Sequence, residues 1–319
     1  MAELALKKNA KSNRNAYKIK LRFLPGRDIP VYFLLLPAVI LLFIFSYLPI
    51  WGVIIGFKDY SPYKGLLASK WVGFAHFKDF LLDPSFWRVM KNTIIINLYS
   101  LIFGFPAPII LALLLNEIGN VKYKKVIQTI SYLPYFISWV VAAGIVVSVL
   151  SPTNGIVNMV GKNLFGFEPT YFMTKVQYFR SILIISGIWK GIGMSAVYYI
   201  ASITSIDPQL YEAAMIDGAN RWKQTWHITL PGLANIITVL FVLQIGSLFT
   251  IGFEQIFLLY NPTVYEVGDV ISTYTYRLGI EQTQFSATTA IGFTQSLVNF
   301  IMVFLANRLA RKLAGWSLW

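Results

Sequence analysis

The stretch VYFLLLPAVILLFIFSYLPIWG, Val31–Gly52, decides the fold, because it is almost entirely apolar and contains no charged residue. An α-helix rises about 1.5 Å per residue, so about 20 apolar residues cross the ~30 Å hydrocarbon core of a bilayer. The run continues to about residue 56, which is too long for the ~7–15 apolar residues of a secretory signal, and no small-residue cleavage site follows it. We therefore expect a retained membrane-spanning helix over residues 31–56.

Five further apolar runs have comparable lengths and lie at about residues 93–115, 126–150, 180–203, 233–259 and 288–306. Backbone amides and carbonyls in lipid must be paired within their own segment, which favours helices for all of these runs. The sequence predicts an all-α integral membrane protein with six transmembrane helices. A basic tail, residues 1–30, precedes a single transmembrane domain, residues 31–319.

The composition agrees with a membrane protein and excludes several classes of site. Of 319 residues, 56% are apolar and only 13% are charged, and the mean hydropathy is +0.60. Soluble domains carry about 25% charged residues. The absence of cysteine excludes disulfides, thiolate zinc sites and thiol catalysis.

The net charge of +13 has two readings, nucleic-acid binding or membrane orientation. Lysine and arginine are concentrated in the tail, after the second and fourth predicted spans, and after the last span. The positive-inside rule then places both termini in the cytoplasm. We expect a multi-pass protein of the plasma membrane. We expect the tail to contact anionic lipid headgroups and expect no nucleic-acid partner.

The chain lacks the residues of a catalytic or metal site. Its only histidines are His76 and His227, too few for metalloprotease or zinc deaminase motifs. The stretch GIVNMVGKN, Gly155–Asn163, resembles a phosphate loop, but its spacing is wrong and Asn163 replaces the Ser or Thr that binds magnesium. We expect no catalytic residue, no bound metal and no cofactor in this chain.

The connection between the fourth and fifth spans, Ser205–Gly232, reads SIDPQLYEAAMIDGANRWKQTWHITLPG. Asp207 is a favourable N-cap, and Pro208 suits the first helical position, where its missing N–H costs nothing. Gly218 can adopt the left-handed conformation that ends a helix. These residues predict a short helix between Pro208 and Gly218.

A second short helix follows in the same connection. Asn220 can cap a helix over Arg221–Ile228, which we expect to stop at Pro231. The small alanines and the neighbouring Leu210 of the first helix suit insertion into a groove of a partner protein. An interfacial hairpin on lipid headgroups fits the pattern equally well.

The residue order of this connection resembles the EAA motif of ABC-importer permeases. Glu212-Ala213-Ala214, Asp217-Gly218-Ala219 and Ile228-Thr229-Leu230-Pro231 stand in register, and Thr225 departs from the usual aromatic residue. Two other segments look like parts of sugar-type permeases: Trp71–Thr93 resembles the segment that enters their second span, and Val270–Ile280 resembles their last outer loop. The ending Gly315–Trp319 resembles the LplB-like branch, which handles fragments of complex polysaccharides.

The resemblance implies a type I importer for carbohydrates, with oligosaccharides from complex polysaccharides as the expected substrates. Such importers contain two different permeases, two ABC ATPase subunits that bind ATP and magnesium, and an extracellular lipid-anchored solute-binding protein. The family branch and the lack of cysteine favour a Gram-positive plasma membrane. The matching residues expected to dock on an ATPase are Leu210, Tyr211, Glu212, Ala213, Ala214, Asp217 and Gly218.

Two other functions are considered, an ABC permease for another small solute and an ion-coupled secondary transporter. The EAA motif is shared by ABC permeases of many solutes, and only the terminal similarities favour sugars. Secondary transporters often show repeated halves and intramembrane acidic residues, and neither is evident in the sequence.

Lys190 is the one basic residue that falls near the middle of a predicted span. A lysine at that depth costs about 2.5–3.5 kcal/mol on insertion scales, so it should face the bundle interior or water. With Trp189 it could contact an acidic sugar on the substrate path. The alternative, which we favour, is a packing role in which Lys190 donates to backbone carbonyls or to a carboxylate of the partner permease.

Overall fold

The computed structural model describes residues 29–250 and 252–314, and side chains as far as residue 312. The chain divides at Gly52 and Val53 into two compact units. Most of the basic tail and the ending Gly315–Trp319 lie outside the described residues, so the predictions made for them remain predictions.

The described part of the first unit is helical throughout. Helix α1, Ile29–Leu42, continues into a π-helical turn, Phe43–Tyr47, and a 3₁₀ segment, Leu48–Phe57, that enters the second unit. Apolar side chains are exposed along it, as at Leu34, which is 81% exposed. Such a surface is expected where lipid is the solvent.

The second unit is also helical, apart from a two-stranded antiparallel ribbon of β1, Lys58–Asp59, and β2, Lys70–Trp71. Before the second span lie α2, Gly65–Ala68, and α3, Ala75–Leu82. The remaining helices are α4, Pro84–Tyr99; α5, Pro106–Glu117; α6, Val121–Tyr132; α7, Trp139–Val149; α8, Ile156–Phe165; α9, Val176–Ile203; α10, Pro208–Ile216; α11, Arg221–Gln224; α12, Leu230–Gly246; α13, Phe253–Leu259; α14, Tyr265–Gly268; α15, Ile271–Tyr276; and α16, Phe285–Ala314.

Five continuous helices in the described part of the chain are long and apolar enough to cross a membrane, and the bent pair of α6 and α7 adds a sixth crossing if it forms one span. The second crossing begins nine residues earlier than the sequence indicates, at Pro84 rather than residue 93. Asp83 is its N-cap and accepts a hydrogen bond from the Ser85 amide at 2.8 Å. A π-helical turn, Ser100–Gly104, joins α4 to α5, so the helix passes the prolines at its centre.

The single span predicted over residues 126–150 is two helices instead. The segment Val121–Phe136 and helix α7 meet at an angle of 107°. The bend follows a 3₁₀ turn that contains Pro134, which lacks an amide donor. Ser138 then starts α7 as its N-cap and accepts from the Val141 amide at 3.4 Å.

The span predicted over residues 233–259 is wrong at both ends. Pro231 does not stop the helix, because a π-helical turn, Thr225–Thr229, precedes it and places Pro231 in the first turn of α12. The result is one continuous helix over Arg221–Gly246. Beyond Gly246 the chain leaves the helix, and α13 is a separate short helix.

Polar side chains from two other helices stabilise the chain where α12 ends. Asn97 of α4 donates from Nδ2 to the carbonyl of Leu248 at 2.5 Å. Asn299 of α16 accepts from the Phe249 amide at 3.3 Å, and Gln295 donates to the Phe249 carbonyl. Backbone groups freed by the break are therefore paired within the protein, as the apolar surroundings require. The amides of Gln295 and Asn299 thus bind the chain segment that follows α12.

Helix α9 lies at the centre of the second unit. Its buried side chains, among them Phe179 and Tyr199, are almost inaccessible. It approaches α6 so closely that a Cβ at Gly193 would lie 2.1 Å from the carbonyl oxygen of Ser131. No side chain larger than hydrogen fits at this crossing, so the central helix is locked against the bent pair.

An ion pair stabilises the connection between α13 and α16. Asp269 is fully buried, and Arg277 reaches both of its oxygens, at 2.6 and 3.1 Å. Burial lowers the pKa of Arg277, but the hydrogen bond and charge of Asp269 outweigh it and raise that pKa above its ordinary value. Tyr274 donates to Asp83 at 2.7 Å, which holds the pKa of the Asp83 carboxyl below its ordinary value.

Candidate functional site

The EAA stretch folds as a two-turn helix, α10, that is capped at both ends. Asp207 caps its N-terminus and accepts from the Gln209 amide at 3.0 Å, with Pro208 next to it in the first turn. Gly218 has φ of +75°. The amides of Gly218 and Ala219 donate back to helix carbonyls at 3.1 and 2.8 Å, which is the Schellman pattern. The start, the glycine turn and the second cap predicted from the sequence all occur.

Two polar contacts hold this hairpin on the membrane helices. Tyr211 is half-buried, and its hydroxyl lies 3.0 Å from the Thr229 hydroxyl at the start of α12. Arg221 forms an ion pair with Glu117 at 3.0 Å, which joins α11 to the end of α5. Both Arg221 and Glu117 are exposed, so the ion pair contributes at most ~1 kcal/mol. The helix is therefore oriented mainly by Tyr211 and by its two turns.

The outward side of α10 is open. Leu210, Met215 and Ile216 are 53%, 58% and 87% exposed. Glu212 and Asp217 are exposed, and neither forms an ion pair or side-chain hydrogen bond within the described part of the chain. Ala213 is exposed and Ala214 is half-buried. The structure therefore brings the seven expected docking residues onto one short helix and its glycine turn, where apolar side chains surround a carboxylate.

A cavity of about 560 Å³ lies among α4, α5, α9, α12 and α13. This volume is within the ~300–1,000 Å³ range of ligand pockets. Among the described residues of its lining there is no Asp, Glu, Lys, Arg or His. Its α9 wall follows one helix face and includes Ile184, Gly187, Ile188, Gly191, Ile192 and Ser195.

Polar groups of this cavity come from separate helices. Asn97 and Ser100 belong to the second crossing, Tyr198 to α9, Gln244 to α12 and Gln255 to α13. This set is not evident from the sequence, because each residue is a single polar group in an apolar run. The available signal was Gly187 and Gly191, which lie one turn apart on a long apolar helix and leave room beside it.

Lys190 and Trp189 do not line this cavity. Lys190 is 9% exposed, and its Nζ donates to the backbone carbonyl of Tyr135 at 3.0 Å, at the end of the 3₁₀ turn before the 107° bend. The ammonium also lies 5.5 and 5.4 Å from the ring centroids of Tyr135 and Trp139. This is the backbone contact of the packing role, made within this chain. Substrate contact by Lys190 or Trp189 stays a prediction, and the lining of the cavity gives it no support.

Comparison with known proteins identifies the family. Residues 104–315 match the family described as binding-protein-dependent transport system inner membrane component. Protein LplB of Bacillus subtilis is 43% identical over 286 residues, which cover 90% of each chain. The polygalacturonan/rhamnogalacturonan transport system permease protein YteP of the same organism is 43% identical over 282 residues, 88% of each chain.

A solved structure supports the same assignment. A chain of a bacterial alginate ABC transporter, crystallised with a periplasmic protein that carries alginate pentasaccharide, superposes with a TM-score of 0.84 at 43% identity. The match covers 92% of this chain and 97% of that chain. The EAA hairpin, the helical membrane fold and these relatives together show that this chain belongs to the family of inner membrane components of binding-protein-dependent transport systems, as a permease of an ABC importer.

Proposed function

We propose that this chain is one of two permease subunits of a carbohydrate importer, with oligosaccharides from complex polysaccharides as its substrates. The proposal of a sugar substrate is supported by relatives named for polygalacturonan and rhamnogalacturonan transport and for alginate import. The other subunits are a second, homologous permease, two ATPases that carry ATP and magnesium, and an external solute-binding protein. Both termini lie in the cytoplasm, on the same side as α10.

The observation that carries the coupling role is the carboxylate of Glu212 on the open side of α10, which has no partner among the residues that the structure describes. Apolar side chains exposed next to one charged group form the type of surface that fits a groove with a basic residue. The Schellman turn at Gly218 and the hydroxyl contact of Tyr211 fix the direction in which this surface points. Closure of the ATPase dimer would then move α10, and α10 would pass the movement to the membrane helices.

The function is tested with the assembled transporter in proteoliposomes. We expect ATP hydrolysis that is sensitive to vanadate and stimulated by the loaded binding protein, together with uptake of the sugar. Ion-driven uptake by this chain alone would contradict the proposal, and so would the absence of stimulation with every sugar-loaded binding protein encoded beside it.

The docking role is tested with Glu212→Ala. Losing one partner of a desolvated charge pair costs about 2–5 kcal/mol, and the lower value corresponds to roughly a thirtyfold loss of affinity for the ATPase. The matched control is Glu168→Ala, which removes an exposed carboxylate from the connection between α8 and α9. If both variants retain ATPase subunits and full stimulation equally well, the docking role of Glu212 is wrong.

A further inference from the structure

The stretch Gly155–Asn163, whose spacing is wrong for a phosphate loop, forms most of helix α8. Ile156, Val160 and Leu164 recur every four residues and therefore lie on one face of this helix. All three are exposed, and Leu164 is 72% exposed. Asn158 lies on the opposite face and is only 6% exposed. The helix thus buries a polar side chain and exposes an apolar face, which is the reverse of a helix on a protein surrounded by water.

Asn158 fixes α8 to the end of the membrane helix before it. Its Nδ2 donates to the carbonyls of Leu150 at 3.2 Å and Ser151 at 2.9 Å, directly after α7 ends at Val149. The same amide donates to the Thr170 carbonyl at 3.0 Å and accepts from the Thr170 amide at 2.8 Å. Because one side chain reaches from α8 to the end of α7, α8 cannot extend away from the bilayer that α7 enters.

An aromatic pair continues the exposed face beyond the helix. Gly166, with φ of +68°, ends α8. Its amide and that of Phe167 donate to helix carbonyls, each at 3.1 Å, in the Schellman pattern. The rings of Phe165 and Phe167 then stack with centroids 5.7 Å apart, although the two residues are 69% and 64% exposed. The turn therefore holds the apolar surface in one conformation.

This surface needs an apolar neighbour at all times. Six of the ten residues of α8 are apolar and exposed: Ile156, Val157, Met159, Val160, Leu164 and Phe165. Scattered apolar side chains are normal on a protein, but a contiguous set marks an interface. With both termini in the cytoplasm, α9 ends at the cytoplasmic link to α10, so α8 lies on the outer side. A binding protein that docks and leaves would expose the set to water in every cycle, whereas outer-leaflet lipid is always present.

A cation lies at the edge of the apolar face. Lys162 follows Asn158 by one turn, is exposed, and forms no ion pair with a residue that the structure describes. In a dry interface with the partner permease, its ammonium would need a carboxylate. At a membrane surface it can reach lipid phosphates while its apolar stem stays along the helix. An apolar face bordered by a cation is typical of a helix in the membrane interface.

We propose that α8 lies in the outer surface of the bilayer and binds phospholipid, with Val160 and Leu164 among the acyl chains and Lys162 at the level of the phosphates. The proposal goes beyond the proposed function, because it concerns neither the sugar nor the ATPase. Through Asn158, the lipid contact would hold the outer end of α7 at a fixed depth.

The absence of cysteine from this chain allows the depth of α8 to be measured with single nitroxide labels. Leu164→Cys and Val160→Cys report on the apolar face, Lys162→Cys on the polar edge, and Glu168→Cys is the control in water, since Glu168 is an exposed carboxylate in the connection after α8. Each variant is assembled into the complete transporter in nanodiscs that contain phosphatidylglycerol. The wild type gives the background from the other subunits, and nitroxide-labelled phosphatidylcholine calibrates the depth.

A label in lipid collides with oxygen but not with a water-soluble nickel complex. We expect the ratio of oxygen to nickel collisions to be at least about fivefold higher at Leu164 and Val160 than at Glu168, with an intermediate ratio at Lys162. Adding the sugar-loaded binding protein should leave these ratios unchanged. If one of the two apolar-face variants does not assemble, the other decides the result.

Three results would overturn the proposal. A ratio as low as that of Glu168 at both apolar positions excludes lipid, and nickel access that is lost on adding the binding protein would then assign the face to that protein. Low access to both reagents would assign the face to the partner permease. Equal ratios at Lys162 and Leu164 would exclude an interfacial helix. Stimulated ATPase activity of the same samples tests the importer function separately, so either proposal can fail alone.

Discussion

Replacing Gly218 with valine tests whether the glycine turn after α10 sets the coupling surface. The residue has φ of +75°, and a Cβ built there meets no atom within 4 Å. The cost of the substitution is therefore local backbone strain rather than a clash. A non-glycine residue in the left-handed region costs about 1–3 kcal/mol, and a β-branched side chain lies at the upper end.

This strain should change the end of the helix without unfolding the protein. A cost of 1–3 kcal/mol lowers the population of the native turn by roughly 5- to 150-fold relative to alternative turns. The Schellman bonds from the Gly218 and Ala219 amides would be lost in those alternatives. We expect Gly218→Val to assemble into the membrane but to lose most of its binding-protein-stimulated ATPase activity.

The control is Gly218→Asn, because asparagine tolerates the left-handed conformation much better than valine does. Both variants are compared for membrane level, for ATPase subunits retained on purification and for stimulated hydrolysis. Asparagine should keep most of the activity that valine loses. Equal activities in the two variants would show that the positive φ of the turn has no part in coupling, and the reasoning would fail.

Three further predictions concern polar contacts away from α10. Asp269→Asn leaves Arg277 largely buried without its counter-charge, so it should destabilise the protein by about 3 kcal/mol in thermal unfolding, and Arg277→Gln in the same chain should restore part of the loss. Tyr274→Phe removes the hydrogen bond that lowers the pKa of Asp83. The stability that this bond gives the folded protein is present above the unfolded pKa of about 3.9 and is lost as pH falls through the lower folded pKa. The variant should therefore melt at a lower temperature than wild type at pH 7 and approach wild type in acid. Lys190→Gln loses a charged hydrogen bond worth about 1.5–3 kcal/mol but also removes an intramembrane charge that costs about 2.5–3.5 kcal/mol, so the variant should still assemble. Uptake of neutral and acidic sugars should change equally. A loss confined to acidic sugars would instead assign Lys190 to the substrate path.

The hairpin was predictable because its signals are local. Asp207, Pro208 and Gly218 each act within a few residues of their position, so their roles follow from the sequence alone. The helix end expected at Pro231 does not occur, for the opposite reason. The π-helical turn before Pro231 lets the helix continue without an amide donor at that residue. The adjacent residues give no signal for such a turn.

The helix breaks were not predictable from hydropathy, since the chain stays apolar through them. The end of α12 depends on Asn97 and Asn299, which are distant in sequence and reach the freed backbone only in the folded protein. At the bend before α7, Lys190 likewise reaches across from α9 and donates to the Tyr135 carbonyl of the 3₁₀ turn. Apolar length therefore indicated the apolar segments, which in the described residues are five continuous helices and one bent pair. Long-range polar contacts determine their shape.

These contacts also explain how a movement of the hairpin could reach the cavity. Helix α9 ends at Ile203 and α10 begins at Pro208. Backbone hydrogen bonds hold the short link between them, such as the one from the Ile206 amide to the Ile203 carbonyl at 3.1 Å. A rotation of α10 thus acts on a short, hydrogen-bonded link rather than on a flexible linker. Closer to its N-terminus, one face of α9 contacts the bend through Lys190, and another face lines the cavity. Because a packed helix moves as a unit, a displacement of the hairpin should change the cavity and the bend together. For this reason we expect strain at Gly218 to reduce transport without a direct contact to substrate.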